Sequence, residues 1–209
     1  MSAATTIFLV RHGVTATTGK VLPGRAAGLH LSERGHAQAR GAAERLGELS
    51  TAPSALYASP LERTRETAAP ISRALSLRVQ RHRGLLECDF GDWTGASLAS
   101  LRRRSEWKQV QNSPSSFRFP GGESFTEMQL RIWNTLEELA AAHRGQSIVV
   151  VSHADPIKSA VTYAQGVPLD LFQRTVISTC SISALVLGGP TPLVLSVNNT
   201  GSLKELQAS

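Results

Sequence analysis

Two histidines follow the two most apolar short runs of the sequence. His12 comes after Ile7–Val10 and Arg11, and His153 lies just beyond Ile148–Val151. Short apolar runs rich in β-branched residues are typical of buried strands. Because ligands bind at the carboxyl ends of parallel strands, two central strands would bring both imidazoles to one crevice. A neutral imidazole, whose ordinary pKa is about 6.5, can act there as a nucleophile.

The basic residues near these histidines indicate what the nucleophile would attack. Arg11 stands beside His12, and Arg63 falls in the first turn of a helix that we expect Ser59–Glu62, an S-x-x-E capping box, to open. Helix N-termini and guanidinium groups both favour phosphate dianions. The sequence therefore predicts attack of His12 on phosphorus to give a phosphohistidine, with His153 and the arginines stabilising the phosphoryl oxygens.

Such a reaction also needs an acid that protonates the leaving alkoxide. Glu87, in the loop after the third predicted strand, is the candidate, and Asp89 and Asp92 are close rivals. Each feature alone has a structural explanation, since a histidine at a strand end is more often a packed residue and Arg63 or Glu87 could be a solvated charge. Their conjunction at strand ends favours phosphoryl transfer.

Strand and helix patterns alternate along the 209 residues. The alternation predicts an α/β fold, a three-layer α/β/α sandwich with a mainly parallel central sheet, in a single domain over residues 1–209. The strands are predicted at 7–10, 55–58, 77–80, 148–151, 181–187 and 193–197, and the helices at 32–50, from 59 to 75, 98–110, 124–143 and from 155 onward.

The composition, 41% hydrophobic and 18% charged, is that of a soluble globular protein and excludes a disordered or fibrous chain. Cys88 and Cys180 make no disulfide framework and no CxxC metal motif, so we expect a cytoplasmic protein. No apolar run approaches the ~20 residues of a membrane span, and the N-terminus is a poor signal peptide. The net charge of +6 favours anionic partners.

Four motifs occur in a fixed order: LVRHG at 9–13, SPLERTRETA at 59–68, LLECDFGDWTG at 85–95 and VVSHAD at 150–155. Together they resemble the phosphoglycerate-mutase-like branch of the histidine phosphatase superfamily, over residues 5 to 165. The RHGVTAT stretch lacks the RHGxRxP pattern of the acid-phosphatase branch. The resemblance implies a phosphoglycerate-mutase-like fold, with no metal and no cofactor.

The resemblance also implies a role for each residue that matches a motif. His12 matches the nucleophile that becomes phosphorylated, and Glu87 matches the proton donor. Arg11 and Arg63 match the phosphate-binding arginines, and His153 matches the second histidine of the phosphate pocket.

Other positions bear on substrate binding. Thr18 falls where many relatives have a phosphate-contacting asparagine, and Gly24 and Arg25 fall where mutases have a glycine–tryptophan pair in the substrate loop. Ala154 replaces the glycine common after the second histidine, and Val14 replaces the glutamate common after RHG. Both replacements affect substrate fit and leave the chemical groups intact.

The short stretch between Glu87 and His153 resembles the phosphatases, because cofactor-dependent mutases carry a long basic insertion there that closes the site. A less enclosed site leaves water free to attack. We therefore expect metal-independent hydrolysis of phosphomonoesters. The alternative is a mutase, of the phosphoglycerate or another type, that passes the phosphoryl group to a second hydroxyl.

Segment 96–122, with Arg102–Arg104 and Trp107, is a predicted lid for a small phosphorylated metabolite, although a solvated helix face explains it equally well. Nucleic-acid binding through basic residues is a remote alternative, because only 5% of residues are aromatic and no recognition motif is present. The apolar strands near the C-terminus offer an edge for a homodimer.

Overall fold

A single six-stranded sheet forms the centre of the molecule, which a computed structural model describes over residues 3–203. The strands are β1 (Thr5–Arg11), β2 (Ala55–Ala58), β3 (Val79–Arg81), β4 (Ser147–Ser152), β5 (Ile182–Leu187) and β6 (Leu193–Asn199), in the order β3-β2-β4-β1-β5-β6. Strands β1 to β4 form only parallel pairs with one another. Strand β5 pairs antiparallel with β1 and with β6. The predicted α/β fold with a mainly parallel sheet is confirmed.

Helices cover both faces of this sheet. They are α1 (Glu33–Gly47), α2 (Glu62–Leu75), α3 (Leu98–Leu101), α4 (Ser105–Asn112), α5 (Phe125–Ala142) and α6 (Ala154–Ala164). α1 and α2 pack on one face, and α5 and α6 pack on the other, which gives the three predicted layers. Between residues 3 and 203, no helix has the length and apolar character needed to cross a membrane.

The central strand β1 is buried on both faces. Ile7 and Leu9 belong to the core under α5 and α6, whereas Phe8 and Val10 belong to the core under α1 and α2. Burial on both faces explains why this strand is a continuous apolar run rather than an alternating one. Each such side chain contributes about 1.5–3 kcal/mol by its burial, so the strand that carries His12 at its end is firmly held.

The predicted starts of α2 and α5 have different outcomes. Ser59 is not a helix cap, because its backbone N–H donates to the carbonyl of Val151 and keeps Ser59 extended beside the sheet. α2 begins at Glu62 with Leu61 as its N-cap, and Leu61 makes no capping bond through its side chain. By contrast, Ser124 does form the predicted capping box at the start of α5.

Two other predicted helices also change. α6 begins at Ala154 with His153 as its N-cap, whereas the sequence predicts Asp155 as the cap and Pro156 as the first helical residue. The helix predicted over 98–110 is two helices, α3 and α4, separated by a turn at 102–104. The break places Arg102, Arg103 and Arg104 in a turn between two helices rather than within one helix.

Segment 96–122 is anchored on an aromatic cluster beside the sheet. Trp107 stacks on Trp93 with ring centroids 6.4 Å apart, and the Arg104 guanidinium lies 5.5 Å from the Trp93 ring centroid. The cluster also buries Phe90, Phe117, Phe119 and Phe125. Trp107 is half-buried, so the segment is a packed part of the domain.

Two glycines allow α1 to approach the loop that follows His12. A Cβ at Gly13 would lie 2.6 Å from the carbonyl oxygen of Gly35, and a Cβ at Gly35 would lie 2.1 Å from the carbonyl oxygen of Val14. Both contacts are with backbone, which cannot rotate away. The first turn of α1 therefore fixes the position of the His12 loop only because both residues lack a side chain.

This close approach predicts opposite effects for two alanine substitutions in α1. Gly35→Ala should lower the free energy of unfolding by about 1–3 kcal/mol, since the new methyl group displaces backbone. Gly41→Ala, where a Cβ meets nothing within 4 Å, should raise it by about 0.5–1 kcal/mol through helix propensity. Urea unfolding measures both, and equal stability of the two variants would contradict the packing argument.

Candidate active site

The two histidines lie side by side because β1 and β4 are neighbours in the sheet. Arg11 and Ser152 are paired in register at the carboxyl ends of these strands. The rings of His12 and His153 follow directly, with centroids 5.3 Å apart and planes at 64°. Both side chains are buried. The structure thus brings together the two imidazoles that the sequence places in one crevice.

His12 is held in one tautomer and kept neutral. Its Nδ1 lies 2.8 Å from the carbonyl oxygen of Gly13, which can only accept, so Nδ1 carries the proton and Nε2 keeps a lone pair. Burial, together with the charges of Arg63 and Arg11, lowers the pKa of His12 to about 3. The side chain is therefore an uncharged imidazole at neutral pH, with a lone pair on Nε2.

His153 is held by Ser59, the residue that was predicted to cap α2. The Nε2 atom of His153 and the Oγ atom of Ser59 lie 2.9 Å apart. Burial and the charge of Arg63 lower the pKa of His153 well below its ordinary value. The strand end of β2 thus orients the imidazole at the end of β4.

Two guanidinium groups lie beside these imidazoles, that of Arg63 fully buried and that of Arg11 partly buried. Arg63 is completely buried and donates from Nη2 to the carbonyl of Gly24 at 2.8 Å, and Arg11 donates from Nη1 to the carbonyl of Ile177 at 2.6 Å. Burial lowers the pKa of both arginines, although arginine stays charged in proteins.

Several buried nitrogen atoms here have no hydrogen-bond partner within residues 3–203. They are Nε of Arg11, Nε and Nη1 of Arg63, and Nδ1 of His153. A buried donor without a partner costs about 1–3 kcal/mol. A tetrahedral anion with several acceptor oxygens would satisfy such a set of donors, so the residues fit a phosphoryl group.

Glu87 is the buried carboxyl group of the site. Its Oε1 accepts a hydrogen bond from the backbone N–H of Cys88 at 3.0 Å. Burial and the negative charge of Asp155 raise the pKa of Glu87 to about 7, against the opposing effect of Arg63 and Arg11. The side chain can therefore hold a proton near neutral pH and also release it.

The loop that carries Glu87 is fixed by an arginine that the sequence analysis missed. All five N–H donors of Arg131 are used, in hydrogen bonds of 2.8–3.3 Å to the carbonyls of Gly84, Leu86 and Glu87 and to both carboxylate oxygens of Glu123. These bonds join α5 to the backbone on either side of the acid. No local pattern signals such a role, because every partner except Glu123 is more than 40 residues away.

Arg25 lies in the same cluster, although the sequence predicts it as a substrate contact. Its Nε donates to the carbonyl of Glu87 at 2.9 Å, and its Nη2 and Nη1 lie 2.8 Å from Glu123 and 3.3 Å from Asp89. The guanidinium thus faces the acid loop. Its neighbour Gly24 has φ +50° and holds Arg63 through its carbonyl.

A cavity of about 350 Å³ opens over His12. Of the predicted residues, its wall includes Arg11, His12, Thr18, Glu87 and Ala154, and from segment 96–122 it includes Leu98, Arg102, Trp107 and Gln111. Arg63 and His153 are fully buried and are not among the residues that line this cavity, although the His153 ring lies 5.3 Å from that of His12. The Thr18 hydroxyl accepts from the N–H of Thr15 at 2.9 Å and so shapes one side of the cavity.

Asp155 and Lys158 also line the cavity, and the sequence analysis did not single them out. Both lie on α6 after His153, and they are three residues apart, which places them on one face of the helix. That spacing is visible in the sequence and could have identified them. Their side chains continue the wall beyond Glu87.

Comparison with known proteins agrees with this geometry. Residues 7–200 match the histidine phosphatase superfamily (branch 1). The chain is 31% identical over 204 residues to phosphoserine phosphatase 1 of Hydrogenobacter thermophilus, covering 95% of this chain and 94% of that protein. The chain is also 31% identical over 207 residues to a bifunctional protein of Mycobacterium tuberculosis. That match covers 95% of this chain and 55% of the longer relative.

A solved structure, that of a mycobacterial glucosyl-3-phosphoglycerate phosphatase, superposes with a TM-score of 0.84 at 23% identity, covering 94% of this chain and 100% of the other. This likeness establishes the fold, and the match over residues 7–200 establishes the family. The two adjacent histidines, the buried arginines and the buried glutamate are thus found in a chain that belongs to branch 1 of the histidine phosphatase superfamily.

Proposed function

We propose that this protein hydrolyses small phosphomonoesters through a phosphohistidine on His12, with Glu87 as the proton donor and without a metal ion. The observation that carries this proposal is the meeting of a neutral His12 with the buried, unpartnered donors of Arg11 and Arg63. Such donors stabilise the charge that develops on a phosphoryl group in transfer.

In the first step, Nε2 of His12 attacks phosphorus and the bond from phosphorus to the ester oxygen breaks. Glu87 gives its proton to the leaving oxygen and becomes a carboxylate. Arg11, Arg63 and His153 stabilise the phosphoryl oxygens. The products of this step are the free alcohol and phosphohistidine.

In the second step, a water molecule attacks the phosphohistidine. The carboxylate of Glu87 takes a proton from this water, and the bond from phosphorus to Nε2 of His12 breaks. Inorganic phosphate leaves, and Glu87 is again protonated. One carboxyl group with a pKa of about 7 serves both steps, because it can be acid and base at the same pH.

Small phosphorylated metabolites are the proposed substrates. The cavity of about 350 Å³ lies at the small end of the range for ligand sites. Relatives are named for phosphoserine and glucosyl-3-phosphoglycerate as substrates. Segment 96–122, which supplies Trp107 and Arg102 to the wall, is the proposed lid. Cytoplasmic location, a homodimer and the absence of nucleic-acid binding stay predictions.

A mutase is the second candidate. The 2,3-bisphosphoglycerate-dependent phosphoglycerate mutase of Brucella anthropi is 27% identical over 214 residues, covering 96% of this chain and 97% of that protein. Both activities share the phosphohistidine and differ in the acceptor. Transfer from 2,3-bisphosphoglycerate to 2-phosphoglycerate faster than release of inorganic phosphate would favour the mutase.

We expect His12→Ala to lower kcat/KM for p-nitrophenyl phosphate by roughly 10³-fold or more, because it removes the covalent route. The wild-type protein should keep its activity in excess EDTA and form an acid-labile, alkali-stable phosphoenzyme that His12→Ala lacks. His36→Ala removes an exposed histidine and is the matched control. Activity that EDTA abolishes, or that His12→Ala retains, would refute the proposal.

The protonation of Glu87 predicts a pH dependence. For alkyl phosphates, kcat/KM should fall as pH rises through about 7, because the free enzyme loses the proton that it must donate. Glu87→Gln should cost about 10²–10⁴-fold with alkyl phosphates. It should cost much less with p-nitrophenyl phosphate, whose leaving group departs without a proton. Equal losses on both substrates would remove Glu87 from this role.

The hydrogen bonds of Arg131 predict a positioning role. Lysine has three donors where arginine has five, so Arg131→Lys releases part of the acid loop. We expect about a tenfold lower kcat with alkyl phosphates and a smaller loss with p-nitrophenyl phosphate. Arg118→Lys, at an exposed ion pair with Glu127, is the control. Equal losses on both substrates, with a lowered Tm, would indicate a merely structural role.

A further inference from the structure

The cavity wall beyond Glu87 carries two opposite charges side by side. Asp155 and Lys158 lie on one face of α6, with Nζ of Lys158 3.5 Å from Oδ1 of Asp155. Their side chains are only 18% and 17% exposed, and both line the cavity. Placed at the surface, such a pair would contribute little to stability. Inside a cavity, it presents an anion and a cation to whatever binds there.

Lys158 is held in place by the protein. Its ammonium group also donates to Oε1 of Gln173 at 3.1 Å and lies 5.9 Å from the ring centroid of Phe172. A lysine ammonium has three donors, and two of them are used by Asp155 and Gln173. Among residues 3–203, no acceptor is found for the third donor, and Lys158 shares the cavity wall with a second positive charge, that of Arg102.

Asp155 shares the cavity wall with Glu87 and Lys158, and its Oδ1 lies 3.5 Å from the ammonium nitrogen of Lys158. Its negative charge adds to burial in raising the pKa of Glu87 and opposes the effect of burial, which lowers the pKa of Arg11. The leaving oxygen of a substrate must reach Glu87. Substituents on the carbon atoms near that oxygen therefore meet a wall that carries both a carboxylate and an ammonium group.

We propose that Asp155 binds an ammonium group and Lys158 a carboxylate on the leaving alcohol, so that the substrate class is the O-phosphates of hydroxy amino acids. This inference rests on the proposed hydrolysis at His12 and specifies its substrate. Each charge of the pair gains an opposite charge from the ligand, which replaces the long contact between the two side chains.

Other classes of substrate fit these charges less well. A second phosphate group would bring two negative charges beside the carboxylate of Asp155. A neutral sugar would desolvate both Asp155 and Lys158 without supplying a charge to either, which is unfavourable. An ammonium group without a carboxylate would leave Lys158 without its ligand partner. The site therefore selects a zwitterion by repulsion as well as by attraction.

A set of alkyl phosphates separates the two contacts. O-phospho-L-serine carries both charges, O-phosphoethanolamine carries only the ammonium group, and 3-phosphoglycerate carries the carboxylate with a hydroxyl in place of the ammonium group. We expect the wild-type protein to hydrolyse O-phospho-L-serine with kcat/KM roughly tenfold or more above each of the others, since each lacks one charge-assisted hydrogen bond.

Two variants should each reduce the preference for O-phospho-L-serine over a different one of the other two substrates. Lys158→Met should reduce the preference for O-phospho-L-serine over O-phosphoethanolamine by about tenfold. Asp155→Asn should reduce the preference over 3-phosphoglycerate by a similar factor, roughly tenfold. Ratios between alkyl phosphates cancel the effect of Asp155→Asn on Glu87. Lys108→Met, at an exposed lysine outside the cavity wall, should change neither ratio.

The outcomes separate this inference from the function on which it rests. Absence of hydrolysis of p-nitrophenyl phosphate by the wild-type protein would remove the phosphatase itself. Hydrolysis of p-nitrophenyl phosphate without a preference among the alkyl phosphates would overturn only the zwitterion site. A preference for 2,3-bisphosphoglycerate that Lys158→Met abolishes would overturn it in favour of a second phosphate site.

Discussion

Two guanidinium groups beside two imidazoles, one fully and one partly buried, are the constraint on which this site depends. Placing Arg11 and Arg63 out of water is costly unless their charge is compensated. Their positive potential, added to burial, keeps His12 and His153 uncharged. The same positive potential attracts a phosphate dianion. The charges that keep His12 neutral are therefore the same charges that would bind a phosphoryl group in the proposed reaction.

The order of the strands is what makes this arrangement available. β4 lies between β1 and β2, so the residues that end these three strands are His12, His153 and Ser59, in contact with one another. Helix α2 then follows β2 and delivers Arg63 to the same edge. The part of the site that holds His12, His153 and Arg63 is therefore built on strand ends whose neighbouring residues belong to the buried core.

The sequence was informative where short-range rules apply. Apolar runs located β1 and β4, and the rule that ligands bind at carboxyl strand ends united His12 with His153. The capping box at Ser124 was correct because both of its bonds lie within four residues. The same pattern at Ser59 failed, because pairing with the sheet competes with capping there. The roles of Arg131 and Arg25 depend on backbone far along the chain, so no local pattern could have shown them.

The two halves of the cavity are built in different ways, and this difference bears on substrate choice. The half around His12 is made of strand ends and of backbone carbonyls that hold guanidinium groups, so few substitutions leave it intact. The rest of the cavity wall includes side chains from α6 and from segment 96–122. Changes at Asp155, Lys158 or Arg102 can alter the alcohol that fits while His12 and its arginines stay fixed. A common phosphoryl chemistry with a variable alcohol is therefore the behaviour that this architecture favours.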